Sequence, residues 1–331
     1  MGGITPSEHV SELLQRLQSE FDWSHTASRY DVVSSWERPR SGSKFLHLRG
    51  TAGGPEVVVK WSLKWPANTA RQLYDAMVEL AEIVERTETE DCRAIRPLAW
   101  SSSPEALVMP YVEGTDLVSV LRQPDHPAWR REAEQLKGWL FQVGRFLATY
   151  HASGPTPMPG DVTKGLTDLE AVARKARLDG RRLAGLRRDI DGVSRHGRLY
   201  GDFGPGNLEA TTDGRLYVLD PPESAQTGLV HRDIGNFLFE LRRQLAGRGY
   251  TRTPPVRGRL GGLRRAFLDG YSSAARGGPL TEADLAAIDL YEFRRALGMA
   301  RKRWPRRLGD SLWFLGSAFA RRIGLRRYSP E

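Results

Sequence analysis

The chain has 331 residues, enough for about two domains of ~150 residues with sizeable cores. Hydrophobic residues make up 40% and charged residues 27% of the sequence, proportions that exclude a wholly disordered chain. No apolar run approaches the ~18 residues of a membrane-spanning helix, the start lacks a signal-peptide pattern, and Cys92 is the single cysteine. We therefore expect a cytoplasmic protein from a reducing compartment.

The positive charge lies in the second part of the chain. Residues 1–110 carry 12 basic and 15 acidic side chains, a net charge of −3, whereas residues 111–331 carry 37 and 25, a net charge of +12. Only seven of the 49 basic residues are lysine. Because arginine binds phosphate and carboxylate in a fork geometry, an anionic ligand or surface is one explanation of this excess. A solvated arginine-rich surface is the other.

Hydrophobic periodicity predicts strands first and helices afterwards. The first ~30 residues have the pattern of an amphipathic helix. Strand patterns follow at 45–48 and 56–61, then a helix over 69–87, strands at 94–100 and 106–109, a helix near 134–151 and a strand at 216–219. We expect an α+β fold with two lobes: a small, β-rich N-terminal lobe of residues 1–113, and a larger, mainly helical lobe of residues 114–331 that ends in a basic helical tail.

One turn-rich segment, residues 199–208, combines the side chains needed for chemistry. Asp202 and Asn207 lie five residues apart among glycines and a proline, and Asp220 ends the next apolar strand. Such a loop can curl so that the side chains converge, and one carboxylate with one amide oxygen suits Mg²⁺. A second carboxylate beside the metal is where a general base would lie. The same residue types are also common in ordinary surface turns.

The pattern Asp-x-x-x-x-Asn, followed by a strand that ends in Asp, resembles the protein-kinase-like phosphotransferases, and more closely their aminoglycoside/choline phosphotransferase-like branch. In that family the loop aspartate accepts the proton of the substrate hydroxyl, while the Asn and the strand-end Asp hold magnesium. The resemblance implies that Asp202 is the base and that Asn207 and Asp220 are the metal ligands. The family's histidine, mainly an architectural residue, is replaced by Tyr200 here.

The flanking segments extend the resemblance over about residues 30–245. Lys60, near the end of the strand at 56–61, resembles the family's phosphate-binding lysine, and Glu79 in the next helix would be its ion-pair partner. On a helical wheel Glu79 lies nearer the apolar face than Glu82 does. Glu82 and Asp75 remain alternatives for this role.

Adenine and phosphate recognition are implied at two further segments. Residues 109–114 resemble the kinase hinge, where the carbonyl of Pro110 and the N–H of Val112 would bind adenine. The nucleotide loop has a single glycine, Gly42, and two flanking hydroxyl residues, Ser41 and Ser43, so its backbone amides and hydroxyls would contact phosphate.

A last matching segment, residues 231–238, resembles the family's helix whose aspartate braces the catalytic loop. Asp233 takes that position here. An ordinary helix N-cap is the alternative interpretation, since Asp is favoured there. The nearby histidines His151, His196 and His231 match no motif, and we assign them no chemistry.

Together these features predict a small-molecule kinase that uses ATP and Mg²⁺ to phosphorylate a hydroxyl of a small molecule or sugar. The charge of the helical part favours a neutral or anionic acceptor over a polycationic aminoglycoside. Two alternatives remain: a kinase acting on a lipid-linked or cell-surface glycan precursor at the membrane, and a catalytically inactive kinase-like binding protein. Nucleic acid is not an expected partner, because the arginine-rich segments lack interleaved aromatic residues.

The C-terminal segment, residues 289–331, carries 11 basic and four acidic side chains. Within it, apolar residues at helical spacing form one stripe, namely Leu308, Leu312, Leu315, Phe319 and Ile323. Basic and aromatic residues flank the stripe. The pattern predicts a helix that packs on the catalytic lobe, with peripheral membrane contact through residues 301–328 as the alternative.

Overall fold

The computed structural model describes residues 30–38, 42–50, 56–62, 64–86, 92–102, 105–122, 133–154, 167, 171, 193–221, 226–246 and 254–303. The helix predicted for the first ~30 residues and the apolar stripe at 308–323 lie outside the described residues. Among the described residues, no helix is both long enough and apolar enough to cross a bilayer.

The first described elements are strands β1 (Tyr30–Arg38), β2 (Ser43–Gly50) and β3 (Glu56–Trp61), helix α1 (Thr69–Glu85), and strands β4 (Cys92–Ala94), β5 (Ala99–Ser102), β6 (Glu105–Pro110) and β7 (Gly114–Asp116). They are followed by helices α2 (Leu117–Arg122) and α3 (Ala133–Ala152), strand β8 (His196–Leu199), a 3₁₀ turn (Pro205–Asn207), strands β9 (Leu208–Thr211), β10 (Leu216–Val218) and β11 (Gln226–Leu229), and helices α4 (His231–Ala246), α5 (Pro254–Ala274) and α6 (Glu282–Arg303).

Five of the strands form an antiparallel sheet in the order β1-β2-β3-β6-β5. Because side chains alternate along a strand, Leu46 and Val59 pack on one face, whereas Phe45 and Val58 pack on the other face with Met77 of α1. The predicted hairpin of β2 and β3 and the predicted helix α1 are both present. This sheet therefore presents the face that carries Phe45 to the rest of the molecule.

Helix α1 is anchored to the sheet at its N-terminus. Asn68 caps the helix in the left-handed conformation, with φ of 68°, and makes no side-chain cap hydrogen bond. The carboxylate of Glu105 in β6 instead accepts the backbone N–H groups of Asn68 (2.6 Å) and Ala70 (2.7 Å). A carboxylate at this end satisfies unpaired N–H groups and complements the helix dipole.

A second sheet, in the order β4-β10-β9-β7, joins the early strands to the later ones. Strand β4 lies parallel to β10, with Cys92 opposite Leu216. The single strand predicted over 94–100 is therefore wrong, because β4 ends at Ala94 and β5 begins at Ala99 in the other sheet. Pro97, which has no N–H to donate, lies in the connecting segment where the chain changes sheets.

The helical part is held together by close backbone contacts and a large apolar core. A Cβ atom placed on Gly144 of α3 would lie 2.1 Å from the carbonyl oxygen of Phe267, and one on Gly270 of α5 would lie 2.0 Å from that of Phe141. Helices α3 and α5 thus approach more closely than any larger residue would allow. Strands followed by helices confirm the α+β class expected from the sequence.

Candidate active site

The segment after β8, which contains Asp202, is fixed by a fully buried carboxylate. Asp233, near the start of α4, accepts the backbone N–H of Tyr200 at 2.5 Å and that of Gly201 at 3.3 Å. Gly201 has a φ of 93°, a left-handed conformation that favours glycine. Asp233 therefore holds the backbone immediately before Asp202, rather than serving only its own helix.

The buried His151 contacts Asp233 in turn, and the buried Tyr271 contacts His151. One ring nitrogen of His151 in α3 lies 3.3 Å from the Asp233 carboxylate, and the other lies 2.8 Å from the hydroxyl of Tyr271 in α5. This arrangement could not be predicted from the sequence, because a single histidine on a helix matches no motif. The network joins three helices to the loop and makes it a rigid platform.

Tyr200 links the loop to the end of β10. Its hydroxyl donates a hydrogen bond to the backbone carbonyl of Asp220. Burial raises the pKa of Tyr200 well above its usual value, so the hydroxyl remains protonated and can act as the donor. At the position of the family's histidine, tyrosine thus contacts the strand-end aspartate.

Asn207 lies beside both aspartates because of local backbone hydrogen bonds. Its side-chain amide nitrogen donates to the carbonyl of Asp202 at 3.0 Å, and its own carbonyl accepts the N–H of Leu219 at 2.9 Å. Asn207 and Asp220 therefore lie at the same edge of the second sheet, where β9 begins and β10 ends. A carboxylate and an amide oxygen are hard ligands of the kind Mg²⁺ prefers, with phosphates and waters completing its shell.

The N-terminal sheet contributes Lys60 to this edge. Its ammonium nitrogen lies 2.8 Å from a carboxylate oxygen of Asp220, and its side chain is only 12% exposed. The pair connects β3 with the end of β10 across 160 residues of sequence. The structure thus brings Lys60 to Asp220 at this edge, where Asn207 also holds the backbone of Asp202.

Glu79 does not pair with Lys60. The ion pair expected between these two residues, both of which the structure describes, is therefore absent, and Glu79 has another partner. Its two carboxylate oxygens accept hydrogen bonds from both terminal nitrogens of Arg198 in β8, one of them at 2.5 Å. This contact lowers the pKa of Glu79 and raises that of Arg198. Arg198 is 13% exposed and so needs an anionic partner, whereas Lys60 already has Asp220.

The two alternative acids also lie elsewhere. Asp75 pairs with Arg71 at 3.8 Å, and Glu82 pairs with Arg86 at 3.5 Å, each within helix α1. Neither pair involves Lys60.

The nucleotide loop is described only in part, since Ser41 lies outside the described residues. Gly42 has a φ of 65°, and Ser43 begins β2 with a buried side chain. A Cβ atom on Gly42 would lie 3.5 Å from the ammonium nitrogen of Lys64. Lys64 is thus a second cation beside this loop, which the sequence motifs did not single out.

One peptide group of the hinge is held by strand β3. The N–H of Tyr111 donates to the carbonyl of Glu56 in β3 at 2.9 Å. Because the C=O and N–H of one trans peptide point in opposite directions, the carbonyl of Pro110 points away from β3.

A buried apolar cluster lies beside this hinge. Phe45, Val58 and Met109 form one cluster, and Val112 and Leu219 pack against it. Apolar side chains beside a backbone carbonyl and a backbone N–H are the kind of lining that suits an adenine ring.

One further residue lies at the loop, Arg295 of α6. A guanidinium nitrogen of Arg295 is 3.5 Å from a carboxylate oxygen of Asp202, and another is 3.9 Å from Glu240 of α4. Sequence reasoning missed Arg295, because the arginine-rich composition of this region gives no means of selecting one residue.

Solved structures with the same fold are kinases. The chain is similar to an ethanolamine kinase from Plasmodium vivax, with 8% identity over 98% of this chain and 89% of that one and a TM-score of 0.52. It is also similar to the choline kinase LicA from Streptococcus pneumoniae (13% identity, 97% and 98% of the chains, TM-score 0.47). A choline kinase from Cryptosporidium parvum Iowa II gives 12% identity, 96% and 94%, and a TM-score of 0.48. At these identities the similarity concerns the fold and not the substrate.

No curated protein matches the sequence. The family model described as the phosphotransferase enzyme family, APH, matches residues 35–279, which is most of the chain. The match confirms the resemblance drawn from the loop, strand-end and hinge motifs. The chain therefore belongs to the phosphotransferase enzyme family, and its α+β fold is that of the protein-kinase-like enzymes.

Proposed function

We propose that this phosphotransferase moves the γ-phosphoryl group of Mg·ATP to a hydroxyl group of a small molecule or sugar in the cytoplasm. The observation that carries the proposal is the convergence of a lysine, two aspartates and an asparagine at one edge, from segments far apart in sequence. Residues 1–113 would form the nucleotide-binding lobe, and residues 114–331 the catalytic and acceptor-binding lobe.

ATP would bind between the hinge and the nucleotide loop. The apolar cluster around Phe45 and Met109 would hold adenine, and the carbonyl of Pro110 and the N–H of Val112 would hydrogen-bond its edge. Lys60 and Lys64 would attract the phosphates as cations, with the backbone of the loop at Gly42 beside them.

Asn207 and Asp220 would hold the magnesium ion. The Asn207 amide nitrogen is engaged with the Asp202 carbonyl, which leaves the amide oxygen as the atom available to a cation. When bound, the ion would neutralise phosphate charge and orient the phosphate chain. Lys60, released from Asp220, would then face the phosphates.

Asp202 would act as the general base. Its side chain is 69% exposed, so the hydroxyl of an acceptor can reach it. Asn207 holds its backbone carbonyl, and Asp233 holds the backbone immediately before it. The acceptor oxygen would bond to the γ-phosphorus as the bond to the bridging oxygen breaks. The hydroxyl proton would pass to Asp202, and ADP would leave. Base catalysis of this kind contributes about 10²–10⁴-fold, and positioning and electrostatics supply the rest.

The test is acceptor-dependent ADP formation with and without Mg²⁺, over a panel of sugars, hydroxy acids, amino alcohols and aminoglycosides. We expect Mg²⁺-dependent turnover with at least one neutral or anionic compound, because the helical part is net positive. Efficient, saturable use of an aminoglycoside would contradict the acceptor class. Tight Mg·ATP binding without turnover across the panel would favour the inactive binding protein instead.

A further inference from the structure

Arg295 lies beside the candidate base, Asp202. It belongs to α6, and its guanidinium lies between two carboxylates, 3.5 Å from Asp202 and 3.9 Å from Glu240. Glu240 is itself held by Arg243, whose Nε donates to it at 2.6 Å. The result is an alternating chain of charges that ends at Asp202.

The contact between Arg295 and Asp202 is open to solvent. The two side chains are 42% and 69% exposed, and ion pairs of that exposure contribute little to stability. The guanidinium can therefore leave Asp202 for a stronger partner. Carboxylate and phosphate groups are such partners, because they accept two parallel hydrogen bonds from arginine.

We infer that Arg295 binds an anionic group of the acceptor and thereby places the acceptor's hydroxyl at Asp202. A hydroxyl bonded to Asp202 and an anion bonded to Arg295 would each lie about 3 Å from their protein partners. Since those partners are only 3.5 Å apart, the two groups of the acceptor are close to each other. The inference rests on the proposed phosphotransferase function and narrows its substrate to small hydroxy acids or phosphorylated alcohols.

A helix-dipole effect alone does not account for Arg295. Cations are favoured in the last turn of a helix, whereas Arg295 and its exposed neighbour Arg294 lie about two turns before the end of α6. In the part of the chain that the structure describes, the contact with Asp202 is made by Arg295, and no ion pair of Arg294 is present. Arg294 is therefore the matched control.

For a cationic acceptor, removal of the Arg295 charge should have the opposite effect from the one expected for an anionic acceptor. Asp202 and Glu240 are both neighbours of Arg295, so an ammonium group would have to displace the guanidinium to reach them. Removing the arginine charge should then help a cationic acceptor and harm an anionic one. The two classes are thus separable by one substitution.

The experiment uses four acceptors with a three-carbon scaffold: glycerate, glycerol 3-phosphate, glycerol and serinol. Steady-state kinetics are measured for the wild type, Arg295→Gln, Arg295→Lys and Arg294→Gln. We expect the wild type to prefer either glycerate or glycerol 3-phosphate. The preferred compound shows whether the site recognises a carboxylate or a phosphate. Arg295→Gln should raise the KM for that anion about tenfold to a hundredfold, with a smaller effect on kcat. Arg295→Lys should recover part of the loss, and Arg294→Gln should behave as wild type.

Binding provides a readout that does not depend on turnover. Malonate and inorganic phosphate are titrated calorimetrically into the protein loaded with Mg²⁺ and a non-hydrolysable ATP analogue. Weaker binding by Arg295→Gln than by Arg294→Gln supports the inference. Equal binding by both, or better use of serinol than of the anions by the wild type, overturns it. If Asp202→Asn remained fully active, the proposed function itself would fail, which is a different result.

Discussion

The ammonium nitrogen of Lys60 lies 2.8 Å from a carboxylate oxygen of Asp220, so the N-terminal sheet and the strand that ends the catalytic segment meet through one ion pair. Both residues are partly buried, which strengthens their attraction over that of a surface pair. The same two side chains would face the phosphates and the metal of a bound nucleotide.

Removing the charge of Lys60 or of Asp220 should therefore reduce nucleotide affinity more than it reduces the stability of the fold. We expect Lys60→Met to lower ATP affinity about tenfold or more, because a charge-assisted contact with phosphate is lost. Asp220→Asn should abolish most of the gain in affinity that Mg²⁺ provides. Calorimetric titration of ATP with and without Mg²⁺ measures both effects, with Lys137→Met on an exposed face of α3 as the control. Unchanged affinity in both variants would remove these residues from the nucleotide site.

The pairing of Glu79 with Arg198 can be measured by double-mutant cycles on the free energy of unfolding. Single and double Gln variants of these residues should give a coupling energy of about 0.5–1 kcal/mol, because the Glu79 side chain is half exposed. The corresponding cycle between Glu79 and Lys60 should give a value near zero. Coupling in the second cycle and none in the first would restore the arrangement that the sequence suggested.

Local motifs were enough to predict the loop, whereas the partners that lie far away in the sequence could not be predicted. Asp202 and Asn207 lie within six residues, and Asp220 follows the next strand, so their spacing alone indicates convergence. Glu79 is one of four acids on α1, and its partner lies 119 residues away in a segment without a motif. For the same reason the sequence could not select Arg295 or His151, whose contacts depend on how helices pack.

The fold shows the same division between local and long-range information. Alternation in β2 and β3 and the apolar face of α1 specify those elements within short windows. The change of sheets between Ala94 and Ala99 depends on β10, which lies more than a hundred residues later. An apolar run interrupted by Pro97 was therefore predicted as one strand.

His231 should make stability depend on pH. Burial lowers the pKa of this histidine, although the nearby Asp284 carboxylate acts in the opposite direction. The folded protein therefore binds fewer protons than the unfolded chain, whose histidine titrates near 6.5, so stability is complete above about pH 6.5 and falls below it. The loss from one such group is at most about 1.4 kcal/mol per pH unit.

Urea unfolding at several values between about pH 5 and 7.5 checks this expectation. The slope of unfolding free energy against pH should be smaller for His231→Gln than for wild type, whatever the absolute stability of the variant. Titration of Asp284 does not contribute to the difference between the two slopes. Although burial acts in the opposite direction, its hydrogen bonds lower its pKa, so it stays ionised over this pH range. Identical slopes would mean that the buried histidine does not titrate as described.

The close contact of α3 and α5 predicts opposite effects for two glycines of the same helix. Gly270→Ala would place a methyl group 2.0 Å from the carbonyl oxygen of Phe141, so the helices must separate, at a cost of about 1–3 kcal/mol. Gly261→Ala meets no heavy atom within 4 Å and should stabilise the protein by up to about 1 kcal/mol through helix propensity. Thermal unfolding compares them, and equal shifts in Tm would contradict the packing.

The most direct test of the central claim follows the γ-phosphoryl group itself. ATP labelled at the γ-phosphorus is incubated with Mg²⁺, a fraction of small cellular metabolites, and either wild type, Asp202→Asn or Asp75→Asn. We expect wild type and the exposed-acid control Asp75→Asn to form labelled small molecules. Asp202→Asn should form them about 10²–10⁴-fold more slowly while binding Mg·ATP normally and keeping its Tm. Equal labelling by Asp202→Asn, or no labelling by a wild type that binds Mg·ATP, would contradict the account.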